Sequence, residues 1–217
     1  MLREILSPEV REYHTSIPRT DIDLFPEEES VISRAGAKRR TEFATVRACA
    51  RDALAELGYG PAPLIPGVAG APIWPDGIAG SMTHCAGYYA AAVADSARVL
   101  ALGIDAEPHE PLPGGVLETV ARTEERAMLD RLAPRTGTAL DTVLFSAKES
   151  IYKAWFPVRQ TWLDFHEASV TLSLNGTFEA RVLAPAARSS RTWTSISGRW
   201  TQANGVIATS VVLRGSG

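Results

Sequence analysis

The chain has 217 residues, of which 45% are hydrophobic and 22% are charged. These values are close to the averages for soluble globular proteins, and the length suits one sizeable domain or two small ones, which excludes disordered and fibrous classes. The formal net charge of −3 argues against a nucleic-acid-binding protein, which usually carries a net basic domain or a stripe of Lys and Arg.

The first residues contain no apolar stretch of signal-peptide length, and no segment approaches about 18 uninterrupted apolar residues. We therefore expect a cytoplasmic protein that does not associate with membranes. The two cysteines, Cys49 and Cys85, lie far apart without a Cys-x-x-Cys spacing, which indicates neither a disulfide framework nor a structural zinc site.

The first long helix is predicted to follow Ser33, a residue type that often caps helix N-termini, and to end at Gly58. Residues 60–80 hold five prolines and several glycines, which predicts a long irregular segment of the kind that is often functional. The apolar face of the helix consists of Phe43, Val46, Ala50, Leu54 and Leu57.

Two strands are predicted at residues 88–94 and 99–107, with a turn between them. A short helix is predicted over residues 123–132, where acidic residues occupy the first turn. Asp141 is expected to cap a further helix that runs to Phe156 and ends at Pro157, because proline cannot continue a helix without losing a backbone hydrogen bond.

The last part of the chain has strand character. Residues 170–182 alternate between apolar and polar around Asn175-Gly176, which predicts a hairpin. Further strands are predicted at residues 192–201 and 205–213. Each half of the chain thus combines helix and strands, so the predicted fold class is α+β with two similar lobes.

Two carboxylates lie side by side near the end of one predicted strand. Period-two geometry places Asp105 and Glu107 on one face and Ile104 and Ala106 on the other. Like charges repel unless a cation or solvent offsets them, and Pro108 ends the strand directly afterwards. The pair alone fits a cation site and a solvated strand edge equally well.

A second acidic position lies on the helix before Pro157. The apolar stripe of this helix leaves Glu149 and Lys153 on the opposite side, four residues apart. The stripe consists of Leu144, Ala147, Ile151 and Trp155. On Glu149 and Lys153 alone, the favoured interpretation is an ordinary solvent-facing pair, which contributes only a few tenths of a kcal/mol.

Basic and polar groups also precede the acidic strand. Arg39 and Arg47 lie on or beside the apolar stripe around Phe43. They fit a bound anion, an ion pair at the core edge, or a side chain with a buried apolar stem and a guanidinium that reaches solvent. Thr83 and His84 lie in a segment of small and hydroxyl residues just before the strand at 88–94, and such a segment can line a ligand. A lone His is more often structural.

These motifs together resemble the phosphopantetheinyl transferases. The resemblance covers most of the chain from about residue 34 to residue 157, and it is closest to the bacterial branch that serves siderophore, polyketide and nonribosomal peptide synthesis. The segments that carry it are residues 39–51, 74–77, 81–87, 103–107 (Gly-Ile-Asp-Ala-Glu) and 145–155 (Phe-Ser-Ala-Lys-Glu-Ser-Ile-Tyr-Lys-Ala-Trp).

The resemblance implies a two-lobed, pseudo-twofold monomer, with one α+β lobe in residues 1–103 and another in residues 104–217 that carries most of the metal site. Coenzyme A is expected in the cleft between them. The implied activity is transfer of its phosphopantetheine group to a serine of an apo acyl or peptidyl carrier protein, with release of adenosine 3′,5′-bisphosphate.

The resemblance also implies roles for individual side chains. Mg²⁺, or Mn²⁺ in its place, would be held on the pyrophosphate by three carboxylates, one of which would also act as general base. Lys153 would stabilise the transferred phosphate, and other residues would contact the remaining phosphates. The implied metal ligands are Asp105, Glu107 and Glu149, the base is Glu149, and the other implied coenzyme A contacts are Arg39, Arg47, Thr83, His84 and Lys148.

One segment departs from the family pattern. Related sequences commonly carry a basic residue in the loop before Trp74-Pro75, whereas this chain has only apolar and glycine residues from Pro66 to Gly70. Binding of the 3′-phosphate of coenzyme A would then depend more on Arg39, Arg47 and His84, or coenzyme A would bind less tightly.

Two other functions remain open at this point. A coenzyme A binding module without turnover would keep the basic residues but would not need three convergent carboxylates. A metal-dependent phosphoesterase would use the same ion to direct water at the diphosphate, although no additional ligand cluster supports a two-metal site.

Overall fold

The structure, a computed structural model, describes residues 1–184 and 194–215. The described helices are α1 (Leu2–Ile5), α2 (Pro26–Ile32), α3 (Ala37–Ala55), α4 (Val116–Val120), α5 (Thr123–Leu132) and α6 (Leu140–Arg159). The described strands are β1 (Arg11–Thr15), β2 (Ile78–Cys85), β3 (Tyr88–Asp95), β4 (Ala101–Pro108), β5 (Ala168–Ser173), β6 (Thr177–Val182), β7 (Ser195–Ala203) and β8 (Val206–Leu213).

The strands form two antiparallel sheets. One has three strands in the order β1-β3-β2, and the other has five in the order β4-β8-β7-β6-β5. Each sheet packs against one long helix, α3 in the first case and α6 in the second. The predicted α+β class is confirmed, although the two sheets differ in size.

In the smaller lobe, β3 is buried on both faces. Ala90, Ala92 and Ala94 pack towards the larger lobe, while Ala91 and Val93 pack against α3. Side chains of a strand alternate between faces, so a run of small apolar residues allows close packing on both sides.

In the larger lobe, α6 lies directly on β4 and β8. Its predicted apolar stripe of Leu144, Ala147, Ile151 and Trp155 is fully buried. Gly103 permits the approach, since a Cβ at this position would overlap the backbone of α6.

The two lobes are joined along one edge of β4. This strand pairs with β8 on one side, and on the other side its backbone N–H groups are bonded by hydroxyls of β2. Ser81 Oγ accepts from the N–H of Ile104 at 3.1 Å, and Thr83 Oγ1 accepts from the N–H of Ala106 at 3.1 Å. Side chains thus satisfy the strand edge that would otherwise lie unpaired.

Several predicted helix boundaries need correction. Ser33 lies at the C-terminal end of α2, and α3 begins only after Gly36. Asp141 lies inside the first turn of α6, where its carboxylate accepts a hydrogen bond from the N–H of Leu112. Pro157 does not end α6, which continues to Arg159.

The predicted strands also need correction. The strands at 88–94 and 99–107 follow each other along the chain but belong to different sheets. Residues 78–85, expected only to precede a strand, form β2 itself. The hairpin at 170–182 and the helix at 123–132 are confirmed. The first residues of the strand predicted at 192–201 lie outside the described residues.

The division into lobes of residues 1–103 and 104–217 stays a prediction, and its boundary falls within β4. Among the helices in residues 1–184 and 194–215, none has both the length and the apolar character needed to cross a membrane.

Candidate active site

A cleft of about 1040 Å³ lies between the two lobes. The smaller lobe supplies α3, β2 and the irregular segment at residues 66–74, and the larger lobe supplies β4 and α6. Most of the predicted site residues line this cleft, namely Arg39, Arg47, Thr83, His84, Asp105, Glu149 and Lys153. Glu107 and Lys148 do not line it.

Asp105 is the most enclosed carboxylate of the cleft, with 4% of its surface exposed. Its Oδ1 accepts hydrogen bonds from Lys153 Nζ at 2.7 Å and from Thr83 Oγ1 at 3.2 Å. Its Oδ2 is buried without a hydrogen-bond partner among the described residues. A buried carboxylate oxygen without a partner is costly, so this atom is suited to a further cationic ligand.

The surroundings of Glu107 and Glu149 raise the pKa of both carboxyl groups. Burial raises the pKa of Glu107 to about 7, and repulsion from Asp105 and Glu149 adds to this effect while Lys153 opposes it. Burial also raises the pKa of Glu149, again opposed by Lys153. The three carboxylates therefore act on one another electrostatically.

Asp105, Glu107 and Glu149 do not form a preorganised metal-binding site. In the part of the chain that the structure describes, no three His, Cys, Asp or Glu side chains are grouped closely enough to hold a metal ion. The Lys153 ammonium instead forms an ion pair with the Asp105 carboxylate, with Nζ 2.7 Å from Oδ1. The donor chemistry fits a hard divalent cation, since all three residues offer oxygen and Asp105 has a buried oxygen without a partner. Binding such an ion would require the carboxylates to draw together.

The expected solvent-facing pair of Glu149 and Lys153 is not what the structure contains. Lys153 donates to Asp105 across the gap between α6 and β4, and also to the carbonyl of Ile104 at 3.2 Å. Within residues 1–184 and 194–215, no hydrogen bond or ion pair involves the Glu149 carboxylate. Glu149 therefore presents a carboxylate without a protein partner to the cleft.

Arg39 and His84 meet on the opposite wall of the cleft. Arg39 Nη1 lies 3.2 Å from His84 Nε2, and the imidazole lies 3.6 Å from the Glu42 carboxylate. Burial lowers the pKa of His84, while Glu42 opposes and Arg39 reinforces this effect. Anionic groups of a ligand would be attracted to this wall by Arg39.

Arg47 is almost fully buried and yet reaches the cleft. Its guanidinium lies over the Phe43 ring, with Cζ 3.1 Å from the ring centre. Its Nε donates to the carbonyl of Leu64 at 2.7 Å. Arg47 is therefore held at the edge of the core and also lines the cleft, where an anion could bind.

The prediction that Lys148 contacts phosphate is wrong on geometric grounds. Its side chain is 2% exposed, and its Nζ donates to Glu125 Oε2 at 2.7 Å and to the carbonyls of Val120 and Phe165. All three protons of the ammonium are therefore used within the larger lobe. Lys148 lies four residues from Leu144 and three from Ile151, both of the apolar stripe, and this spacing is the sequence feature that could have predicted its burial.

Two further residues of the cleft were not predicted. Glu42 pairs with His84, and Tyr152 lines the cleft together with Glu149. The centre of the Tyr152 ring lies 4.9 Å from the centre of the exposed Trp162 ring. Tyr152 Oη is buried without a hydrogen-bond partner among the described residues. Its spacing of three residues from Glu149 on α6 placed it on the same helix face.

Comparison with known proteins agrees with the motif resemblance. Residues 27–94 match the model of the 4′-phosphopantetheinyl transferase N-terminal domain, and residues 101–209 match that of the 4′-phosphopantetheinyl transferase superfamily.

Individual relatives agree with these matches. The chain is 50% identical to 4′-phosphopantetheinyl transferase Svp of Streptomyces mobaraensis, over 88% of this chain and 78% of that protein. It is 46% identical to 4′-phosphopantetheinyl transferase PptT of Mycobacterium tuberculosis, over 87% and 85%. It is 36% identical to enterobactin synthase component D of Salmonella typhi, over 82% and 73%. The chain therefore belongs to the 4′-phosphopantetheinyl transferase superfamily and is a transferase enzyme.

Proposed function

We propose that the protein transfers the 4′-phosphopantetheine group of coenzyme A to a serine of an apo acyl or peptidyl carrier protein and releases adenosine 3′,5′-bisphosphate. The carrier would belong to siderophore, polyketide or nonribosomal peptide assembly, as the motif resemblance implies, and one relative is named as a component of enterobactin synthase. That the protein works as a monomer in the cytoplasm stays a prediction.

The observation that carries the proposal is the distribution of charge in the cleft. Arg39 and Arg47 line the smaller lobe, while Asp105, Glu149 and Lys153 line the larger one. A bound diphosphate needs cations on its oxygens, whereas a hydroxyl nucleophile needs a base beside the phosphorus. The same cleft contains cationic side chains for the diphosphate and a carboxylate that can serve as the base.

In the proposed reaction, the oxygen of the carrier serine forms a bond to the phosphorus that bears pantetheine. The bond from that phosphorus to the bridging oxygen breaks, and adenosine 3′,5′-bisphosphate leaves with the electron pair. Glu149 has no hydrogen-bond or ion-pair partner among the described residues, and burial raises its pKa, so it accepts the hydroxyl proton directly or through water. Lys153 offsets negative charge on the transferred phosphate.

Magnesium, when bound, would neutralise charge on the diphosphate and improve the leaving group. Asp105, Glu107 and Glu149 would hold it, and Mn²⁺ would suit the same oxygen ligands. Since Lys153 already lies on Asp105, the ammonium and the ion would share this carboxylate or exchange places.

The decisive experiment incubates the protein with coenzyme A, Mg²⁺ and several apo carrier proteins, and then weighs each carrier by mass spectrometry. We expect at least one carrier to gain one phosphopantetheine group, and we expect an arm with EDTA to show no gain until Mg²⁺ is restored. Unmodified carriers with intact coenzyme A would instead indicate a binding module. Hydrolysed coenzyme A with unmodified carriers would indicate a phosphoesterase.

A further inference from the structure

Glu28 is a fully buried carboxylate that the proposed mechanism does not use. It lies in the first turn of α2, and its Oε2 accepts a hydrogen bond from the N–H of Phe25 at 3.1 Å. Its Oε1 accepts from the N–H of Leu64 at 2.8 Å and from Arg51 Nη1 at 2.9 Å. One side chain therefore joins α2, α3 and the start of the irregular segment that forms a wall of the cleft.

Arg47 is held at the same point. Its Nε lies 3.8 Å from Glu28 Oε1 and donates to the carbonyl of Leu64, the residue whose N–H is bonded by Glu28. Its guanidinium stacks on Phe43, and both side chains line the cleft. The position of Arg47 thus depends on where Glu28 holds the backbone at Leu64.

The charge of Arg47 also depends on Glu28. Burial lowers the pKa of Arg47 to about 10, and Glu28 opposes this effect, while the neighbouring Arg51 and Arg39 reinforce it. Without the carboxylate, repulsion from Arg51 and Arg39 would act on the buried guanidinium of Arg47 without the opposing charge of Glu28. Uncompensated buried charge is costly, so Arg47 would move or lose part of its hold on an anion.

We propose that Glu28 is a positioning residue for coenzyme A, which holds Arg47 and the backbone at Leu64 so that the guanidinium meets a phosphate of the ligand. The inference rests on the proposed function, in which Arg47 contacts coenzyme A. Glu28 itself touches no substrate, and it acts through Arg47.

The test is a double-mutant cycle on the affinity for coenzyme A, measured by isothermal titration calorimetry. Glu28→Gln removes the charge and keeps the shape, Arg47→Ala removes the proposed contact, and the double variant combines them. Glu27→Gln is the matched control, because this neighbouring glutamate of α2 is exposed. Steady-state kinetics on each variant separate KM for coenzyme A from kcat.

We expect Glu28→Gln to raise the Kd and the KM for coenzyme A about tenfold with kcat within about twofold, and Glu27→Gln to change neither. In the Arg47→Ala background, Glu28→Gln should weaken binding no further. An equal loss in both backgrounds, or no loss in either, would show that Glu28 serves the fold alone and would overturn the proposal.

The outcomes also separate this proposal from the proposed function. Normal coenzyme A binding by Arg47→Ala would remove the phosphate contact itself, and the positioning role would fail with it. Weak binding by Arg47→Ala with normal binding by Glu28→Gln would overturn only the positioning role. If Glu28→Gln shows no cooperative thermal transition, Glu28→Asp, which keeps the charge but shortens the reach, replaces it in the same cycle with the same criteria.

Discussion

Replacing Gly103 with alanine tests whether turnover depends on the close packing of α6 against β4. A Cβ at this position would lie 2.8 Å from the backbone nitrogen of Ala154 and closer still to the carbonyl oxygen of Ser150, whereas ordinary Cβ contacts begin at 3.4 Å. Both atoms belong to backbone that cannot rotate aside. The helix and the strand must therefore separate by on the order of 1 Å.

This separation should affect both stability and turnover. Overpacking of this kind costs about 1–3 kcal/mol, and each kcal/mol lowers the Tm of a protein of this size by roughly 2–4 °C. Because β4 carries Asp105 while α6 carries Glu149 and Lys153, the same movement separates the groups that face the phosphate. A misplacement of about 1 Å can reduce turnover about 100-fold.

Gly198→Ala is the matched control. Gly198 lies on strand β7, which does not line the cleft. A Cβ at this position would lie 2.5 Å from atoms of the Phe178 ring. Differential scanning calorimetry and kcat at saturating coenzyme A and carrier should show a lower Tm in both variants and a large loss of kcat only in Gly103→Ala. Wild-type kcat in folded Gly103→Ala, or equal losses of kcat in both variants, would refute the reasoning.

Three further predictions concern single side chains. Glu149→Gln should reduce carrier modification at least about 100-fold with no loss of Tm, because it removes the base and relieves repulsion between this carboxylate and Asp105; near-normal turnover would exclude Glu149 as base. Lys148→Met should lower the free energy of unfolding by about 3–5 kcal/mol in urea titrations, since it strands the buried Glu125 carboxylate, while Lys38→Met, on a side chain 92% exposed, should have little effect. Because burial lowers the pKa of His84 below its ordinary 6.5, the unfolded chain binds the proton more readily, so stability should fall as pH drops through 6.5. In His84→Gln this part of the pH dependence should be absent, and an unchanged profile would contradict the assignment.

Predictions that depend on local chemistry agree best with the structure. The hairpin around Asn175-Gly176 and the helix Thr123–Leu132 formed where predicted, because turn residues and capping carboxylates act within a few residues. The strands β1 and β2 were missed. Both are defined by pairing with the central strand β3, and the polar residues of β2, Ser81 and Thr83, are explained only by the edge of β4 that they bond.

The family motifs could be identified from the sequence alone, as could the faces on which Asp105 and Glu149 lie. Strand alternation separated Asp105 from the buried Ile104, and helical periodicity separated Glu149 from the buried stripe of α6. The partner of each charged side chain, in contrast, follows from the tertiary packing. Lys153 pairs with Asp105 and Lys148 is buried against Glu125, since periodicity specifies the direction of a side chain but not the element packed opposite to it. For the same reason, Asp105 and Glu149 share one cleft with basic groups of the other lobe only because the two lobes pack along β4.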